Sequence, residues 1–163
     1  MVNGSSLFKY EGVIKAGIQG LKYQFLTSIE PELKELIKEE WLEEELKNFI
    51  KLKPAVQPMP LYWRRYNWRG FNQAELIGRI VAEKFNLRII DSLIRVKPTK
   101  PQAELPRRER LKNTKGVFKI KQPPPKTVLV VDDVWTTGAT INEAMRVLRK
   151  AGAKRVWGLT LAR

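Results

Sequence analysis

Apolar positions fall into alternating stretches of three-four spacing and short continuous runs. From Pro31 to about Leu52, Leu33, Leu36, Ile37, Trp41, Leu42, Leu46, Phe49 and Ile50 keep the spacing of one buried helical face, and Pro31 suits a first helical turn. Glu43, Glu44 and Glu45 fall on the polar remainder and read as solvated surface. Before this helix, Lys9 to Thr27 mixes apolar residues with glycines, which predicts a short strand followed by a helix. Ala55 to Leu61 predicts a short strand cut by Pro58 and Pro60. Asn72, with Glu75 three residues on, makes a capping pair for a helix to about Phe85 that buries Leu76, Ile77, Ile80, Val81 and Phe85. Ile89 to Val96 predicts a strand. Lys97 to Lys115, with two lysine-proline steps and many charges, predicts a long mobile loop with room for one helical turn after Pro106. Gln122 to Lys126 is a proline spacer. Val128 to Val131 is continuously apolar, as in a parallel strand buried on both faces. Thr140 to Ala151 predicts a helix closed by Gly152, and Val156 to Leu161 a further strand. Alternating helices and strands argue for an α/β fold around a mainly parallel sheet.

Composition narrows the chemistry. A chain of 163 residues suits one domain, with or without a small appendage. It has no cysteine and no histidine, which excludes disulfides, thiolate or imidazole metal ligands, a cysteine nucleophile and a Ser-His-Asp triad. Any metal must take oxygen ligands, as Mg²⁺ does. No apolar run nears the roughly 18 residues needed to span a bilayer, and the N-terminus lacks a signal-peptide core, so a soluble cytoplasmic protein is expected. Charge is uneven. Residues 61–121 hold 16 basic and 5 acidic groups, against 8 and 9 in residues 1–60. Such a field suits nucleic acid, an anionic membrane or small phosphates, or forms a plain solvated face.

The sharpest chemistry lies in VLVVDDVWTTGAT, Val128 to Thr140. A buried strand ends in Asp132 and Asp133, a hydroxyl-rich loop follows, and a helix begins, which is the crevice where parallel α/β sheets bind ligands. Backbone N–H groups, the helix N-terminus and the hydroxyls of Thr136, Thr137 and Thr140 suit a phosphate, and Gly138 permits close approach or positive φ. The two carboxylates would repel phosphate, so they suit sugar hydroxyls, or Mg²⁺ held through water. A ribose bearing a 5′-phosphate fits both halves; an ordinary βα turn with a capping threonine fits the same residues. A Walker A lysine and a GxGxxG pattern are both missing.

These 13 residues resemble the phosphoribosyl pyrophosphate (PRPP) signature of type I phosphoribosyltransferases, with Ala139 where many members have a second glycine. Two further stretches make the likeness more specific. Pro58, Pro60, Leu61, Arg64, Arg65, Arg69, Gly70, Phe71, Asn72 and Gln73, then Gln102, Leu105, Arg107, Arg110, Asn113, Gly116 and Phe118, resemble the ComF family of phosphoribosyltransferase-like proteins. The likeness is strong over about residues 55–163 and loose over 8–54. It implies a type I phosphoribosyltransferase-like α/β fold, with a small hood or helical region at 1–54 and a core at 55–163 within one compact unit. Many members begin with a four-cysteine zinc ribbon, which this cysteine-free chain is expected to lack, and Tyr62 stands where many have histidine.

The resemblance implies that Asp132 and Asp133 hold the ribose and that Thr136, Thr137, Gly138, Ala139 and Thr140 hold the 5′-phosphate. Arg64, Arg65, Arg69, Arg107 and Arg110 would meet pyrophosphate, with Mg²⁺ as cofactor, in transfer of phosphoribose to an acceptor that the sequence does not name. It also implies a role in DNA uptake with other competence proteins. The alternative is a non-catalytic accessory that binds PRPP and single-stranded DNA, since Tyr62 to Arg69 interleaves aromatics with arginines that could stack bases and neutralise phosphates. The same aromatics could instead be buried in a hood, leaving the arginines to PRPP. The sequence sets no oligomeric state.

Overall fold

The computed structural model describes residues 3–23, 30–98 and 114–163. In chain order the elements are β1 (Gly4–Phe8), α1 (Gly12–Tyr23), α2 (Glu30–Leu36), a 3-10 turn (Glu39–Trp41), α3 (Glu44–Lys51), β2 (Ala55–Pro58) and α4 (Trp63–Arg69). Then come α5 (Gln73–Phe85), β3 (Leu93–Arg95), β4 (Phe118–Ile120), β5 (Thr127–Val134), α6 (Ala139–Lys150) and β6 (Arg155–Ala162). Four strands form a parallel sheet in the order β1-β6-β5-β2, and β3 and β4 form a separate antiparallel pair. The expected α/β architecture is therefore present, with a parallel central sheet flanked by helices.

The centre belongs to β5 because Val128 to Val131 offer apolar side chains to both faces and are all buried. Leu129 and Val131 join one core with Ile77, Ile80, Val81, Leu159 and Leu161. Val128 and Val130 join the other with Ile141, Ala144, Met145 and Leu148 of α6. At roughly 1.5–3 kcal/mol per fully buried aliphatic side chain, these two layers are the main source of stability. The first strand, β1, pairs along β6, so residues upstream of 55 also enter the central sheet.

Several local expectations need correction. The helix read across Pro31 to Leu52 is broken into α2, the 3-10 turn and α3, with extended backbone at Lys38 (φ −102°, ψ 141°) and Glu43 (φ −58°, ψ 146°). Glu39 and Glu43, and Glu40 and Glu44, would repel one another at four-residue spacing in a continuous helix. The break buries Leu42 and turns Trp41 outward, where it packs edge-on against Phe8 with centroids 5.7 Å apart. The first strand lies at Gly4–Phe8, earlier than the Lys9–Thr27 reading placed it. The strand read at Ile89–Val96 shortens to β3, with one isolated bridge from Ile89 to Val56. Nothing in the sequence pattern anticipates α4 or β4. Asn72 caps α5 through Ala74 N–H at 3.1 Å, and Gly152, one residue beyond the cap of α6, has φ +106°. The loop expected over residues 97–115 falls largely outside the described residues.

Candidate functional site

Pairing fixes what meets at the carboxyl edge of the sheet. In β2, Pro58 aligns with Val131 of β5, and Met59 N–H donates to Val131 O at 2.8 Å. The chain after β2 thus leaves the sheet one residue before Asp132. It passes through α4 and returns at Asn72, whose Nδ2 donates to Met59 O at 2.9 Å. That bond closes the excursion at its base and holds it beside the carboxylates.

Asp132 and Asp133 lie half-buried at the end of β5. Each accepts the amide N–H of the residue after it, Asp133 N to Asp132 Oδ1 at 2.9 Å and Val134 N to Asp133 Oδ1 at 2.8 Å. The backbone of Trp135 then donates to Ala162 O at 2.8 Å and extends the ladder one step past β5. At the end of the loop Gly138 takes φ +74° and is the N-cap of α6. Its carbonyl accepts the first helical bond, from Asn142 N–H at 2.9 Å. This left-handed turn is where glycine is needed. Ala139, by contrast, is helical and buried, and so stands where a second glycine is not required. Thr136 is exposed; Thr137 is half-buried and its Oγ1 accepts Ala139 N–H at 3.4 Å; Thr140 is half-buried in the first turn of α6. Hydroxyls and a helix N-terminus therefore surround one short loop, the chemistry that accepts a phosphate.

On α4, Arg64 is exposed, with its guanidinium 5.2 Å from the centroid of the Trp63 ring. Trp63 is 56% exposed and Tyr66 43%, so these two rings face solvent instead of filling a hood. Tyr62 caps α4 without a side-chain hydrogen bond, and its ring lies 5.8 Å from that of Trp63. Arg65 and Arg69 are on α4, and their side chains lie outside the described residues, as do Arg107 and Arg110 entirely. The stretch that carries Arg107 and Arg110 has a fixed base. Val96 N–H donates to Val117 O at 2.8 Å, and Gly116 N–H donates to Glu143 Oε1 at 2.8 Å.

Two residues that sequence pattern alone does not single out matter here. Glu143, in the second turn of α6, is buried and is gripped by Arg146 through two 2.7 Å bonds as well as by Gly116. The Arg146 guanidinium, with help from the Gly116 amide and against the opposing effect of burial, holds its carboxyl below the usual glutamate value. Trp135 fills the space beside Gly138, and only its unusual size marks it in the sequence. No group of three or more carboxylates that could cage a metal exists among the described residues. An Mg²⁺ ion, which keeps several waters and takes one or two carboxylates plus substrate phosphates, still fits the donor set of Asp132 and Asp133.

Comparison with known proteins agrees with the fold. Residues 74–163 match the phosphoribosyl transferase domain. The chain is 38% identical over 120 residues to competence protein F of Haemophilus influenzae, covering 69% of this chain and 52% of that one. It is 39% identical over 125 residues to competence protein ComFC of Streptococcus pneumoniae, covering 76% and 53%. It is 30% identical over 158 residues to the DNA utilization protein YhgH of Salmonella typhimurium, covering 94% and 70%. The chain thus spans about half the length of the first two relatives. No described helix is long and apolar enough to cross a membrane.

Proposed function

The chain belongs to the ComF family of phosphoribosyltransferase-domain proteins, and on that premise we propose that its crevice binds PRPP and serves the handling of DNA taken up by the cell. The observation that carries this reading is the path of β5 into Asp132 and Asp133, through the Gly138 turn, and into α6. It offers sugar-hydroxyl acceptors and a phosphate-accepting loop within a few residues of each other.

In the catalytic form of the proposal, a nitrogen nucleophile attacks C1 of the ribose as the C1–O bond to pyrophosphate breaks, through a transition state with oxocarbenium character. Pyrophosphate leaves with the bonding pair, and the nucleophile becomes bonded to C1. Asp132 and Asp133 orient the ribose hydroxyls. The loop Thr136 to Thr140 anchors the 5′-phosphate, so that remote binding energy fixes C1 in place. Arg65, Arg69, Arg107 and Arg110, with Arg64, supply cations for the departing pyrophosphate. Bound Mg²⁺ would neutralise part of the same charge, held by Asp132 and Asp133 through water.

The test is incubation with PRPP, Mg²⁺ and a panel of bases and amines, with released pyrophosphate as readout. Calorimetry on the Asp132→Asn, Asp133→Asn double variant runs alongside. Release in one arm, lost in the variant, supports catalysis. Unchanged PRPP affinity in the folded variant removes both acids from the site. A second reading, a non-catalytic accessory that binds PRPP and single-stranded DNA, is favoured by the outward Trp63 and Tyr66 with Arg64 beside them. PRPP binding without release in any arm selects that reading.

A further inference from the structure

We infer that Trp135 is a positioning residue that braces the Thr136 to Thr140 loop from behind and holds it in its phosphate-accepting shape before any ligand arrives. Its indole occupies the space that a side chain at Gly138 would need. A Cβ there would lie 2.6 Å from Trp135 Nε1 and 3.0 Å from Cε2. The far edge of the same ring, Cζ3 and Cη2, fills the corresponding space at Gly4 of β1, where a Cβ would overlap it. The ring thus spans from the edge strand to the turn, between two glycines 134 positions apart in sequence. Its own backbone is fixed by the bond to Ala162 O.

A third contact completes the brace. The Arg163 guanidinium lies 5.8 Å from the indole centroid, within cation–π range. Arg163 is itself tied at both backbone groups, its N–H donating to Phe8 O at 3.0 Å and its carbonyl accepting Tyr10 N–H at 2.8 Å. The ring is therefore held on strands β1 and β6 and meets the loop at Gly138. A smaller residue at 135 leaves Gly138, whose φ of +74° already makes it the most permissive joint of the loop, without the indole and with Asn142 Nδ2, 3.3 Å from the same Cβ position, beside it. The loop would then sample other turns and present its amides and hydroxyls to the phosphate only part of the time.

This inference rests on the 5′-phosphate reading of the loop, and two readouts separate the failure of one from the failure of the other. The variants are Trp135→Leu, which removes the ring, and Trp135→Phe, which restores most of it. The first readout needs no ligand: hydrogen exchange of the peptide spanning 134–143. Exchange should speed up in Trp135→Leu and return toward wild type in Trp135→Phe. The second is calorimetry with ribose 5-phosphate and, separately, with inorganic pyrophosphate. Ribose 5-phosphate affinity should fall by about tenfold or more in Trp135→Leu, as misplaced contacts do, while pyrophosphate affinity stays within about twofold. Should Trp135→Leu fail to fold, Trp135→Phe carries both readouts, with smaller changes in the same directions. Unchanged exchange in the folded variant overturns the brace, as does equal loss of both ligands. A wild-type protein that ignores ribose 5-phosphate overturns the phosphate reading, while the exchange result still decides the brace.

Discussion

Replacing Glu143 should reveal how the base of the arginine-bearing segment is fastened to α6. Glu143 is 8% exposed and accepts three hydrogen bonds, two from Arg146 and one from Gly116 N–H. Glu143→Ala removes all three. Arg146 is 44% exposed in its side chain, so water recovers most of its solvation and the lost pair costs only about 0.3–1 kcal/mol. Gly116 is exposed as well, so water can meet its amide, and the lost bond costs about 0.5–1.5 kcal/mol. Lost packing of the side-chain methylenes adds about 1 kcal/mol. The sum is about 2–3.5 kcal/mol, or a fall in Tm of roughly 4–14 °C for a chain of this size. Glu143→Gln keeps an acceptor for Gly116 and should lose about 0.5–1.5 kcal/mol.

The pH dependence has a definite sign. The folded carboxyl lies below its ordinary value of 4.5, chiefly because of Arg146, so the unfolded chain binds its proton more readily. The stabilisation is complete well above 4.5 and fades as pH falls through the lower, folded value. Urea melts of wild type and Glu143→Gln, run from neutral pH down to about pH 3, isolate this residue from the other carboxylates, since those titrate in both proteins. The gap in stability should narrow below the ordinary glutamate value. A gap that stays constant over the whole range, or a Glu143→Ala variant within about 0.5 kcal/mol of wild type, would refute the fastening.

Two other substitutions test the crevice and the helix beside it. Gly138→Val forces a β-branched residue to φ +74° and against Trp135, costs of about 1–3 kcal/mol each for strain and overpacking; circular dichroism should stay native while ribose 5-phosphate binding is lost, and retained binding would show that the loop does not wrap the phosphate. Trp63→Ala should leave the melt unchanged, because the ring is 56% exposed, yet weaken a short single-stranded oligonucleotide by about 1–3 kcal/mol in fluorescence anisotropy. Wild-type DNA affinity in that variant would sink the stacking role and leave the positive charge to small phosphates.

Legibility followed the range of the interaction. The β5, loop and α6 unit could be read because each part announces itself locally: a continuous apolar run, two acids, a glycine that must turn left-handed, a periodic helix. The helix read across Pro31 to Leu52 failed for the complementary reason. Leu33 and Ile37 before the break, Leu42 within it and Leu46, Phe49 and Ile50 after it are all buried, so the apolar spacing runs on while the backbone at Lys38 and Glu43 is extended. Helix α4 carries aromatic and basic residues with no apolar stripe, and β4 is three residues long, too short for any alternation to show. Trp135 and Glu143 act on Gly4, Gly138 and Gly116, and a glycine partner leaves no complementary side chain in the sequence to betray the contact.

The proposed function divides the ligand between the carboxylates and the arginines. Two stretches leave the core and return to it, each pinned where it begins and ends: one by Asn72 on Met59, the other by Val96 on Val117 and by Gly116 on Glu143. The first carries Arg64, Arg65 and Arg69, and the sequence of the second carries Arg107 and Arg110. The base of the first lies beside the end of β5, and that of the second is fastened to the second turn of α6. So many like charges repel one another until an anion neutralises them. The carboxylates are part of β5 and take their position from the sheet. In the proposed function PRPP would turn its ribose hydroxyls to the acids and its 5′-phosphate to the Thr136 to Thr140 loop, leaving its pyrophosphate for the arginines. A nucleic acid, which presents phosphate along its whole length, would gain nothing from Asp132 and Asp133 and would be repelled there. Under the proposed function the acids therefore favour a small phosphorylated sugar over nucleic acid at the end of β5, and the exposed Trp63, Arg64 and Tyr66 of α4 are what a DNA contact would be tested on.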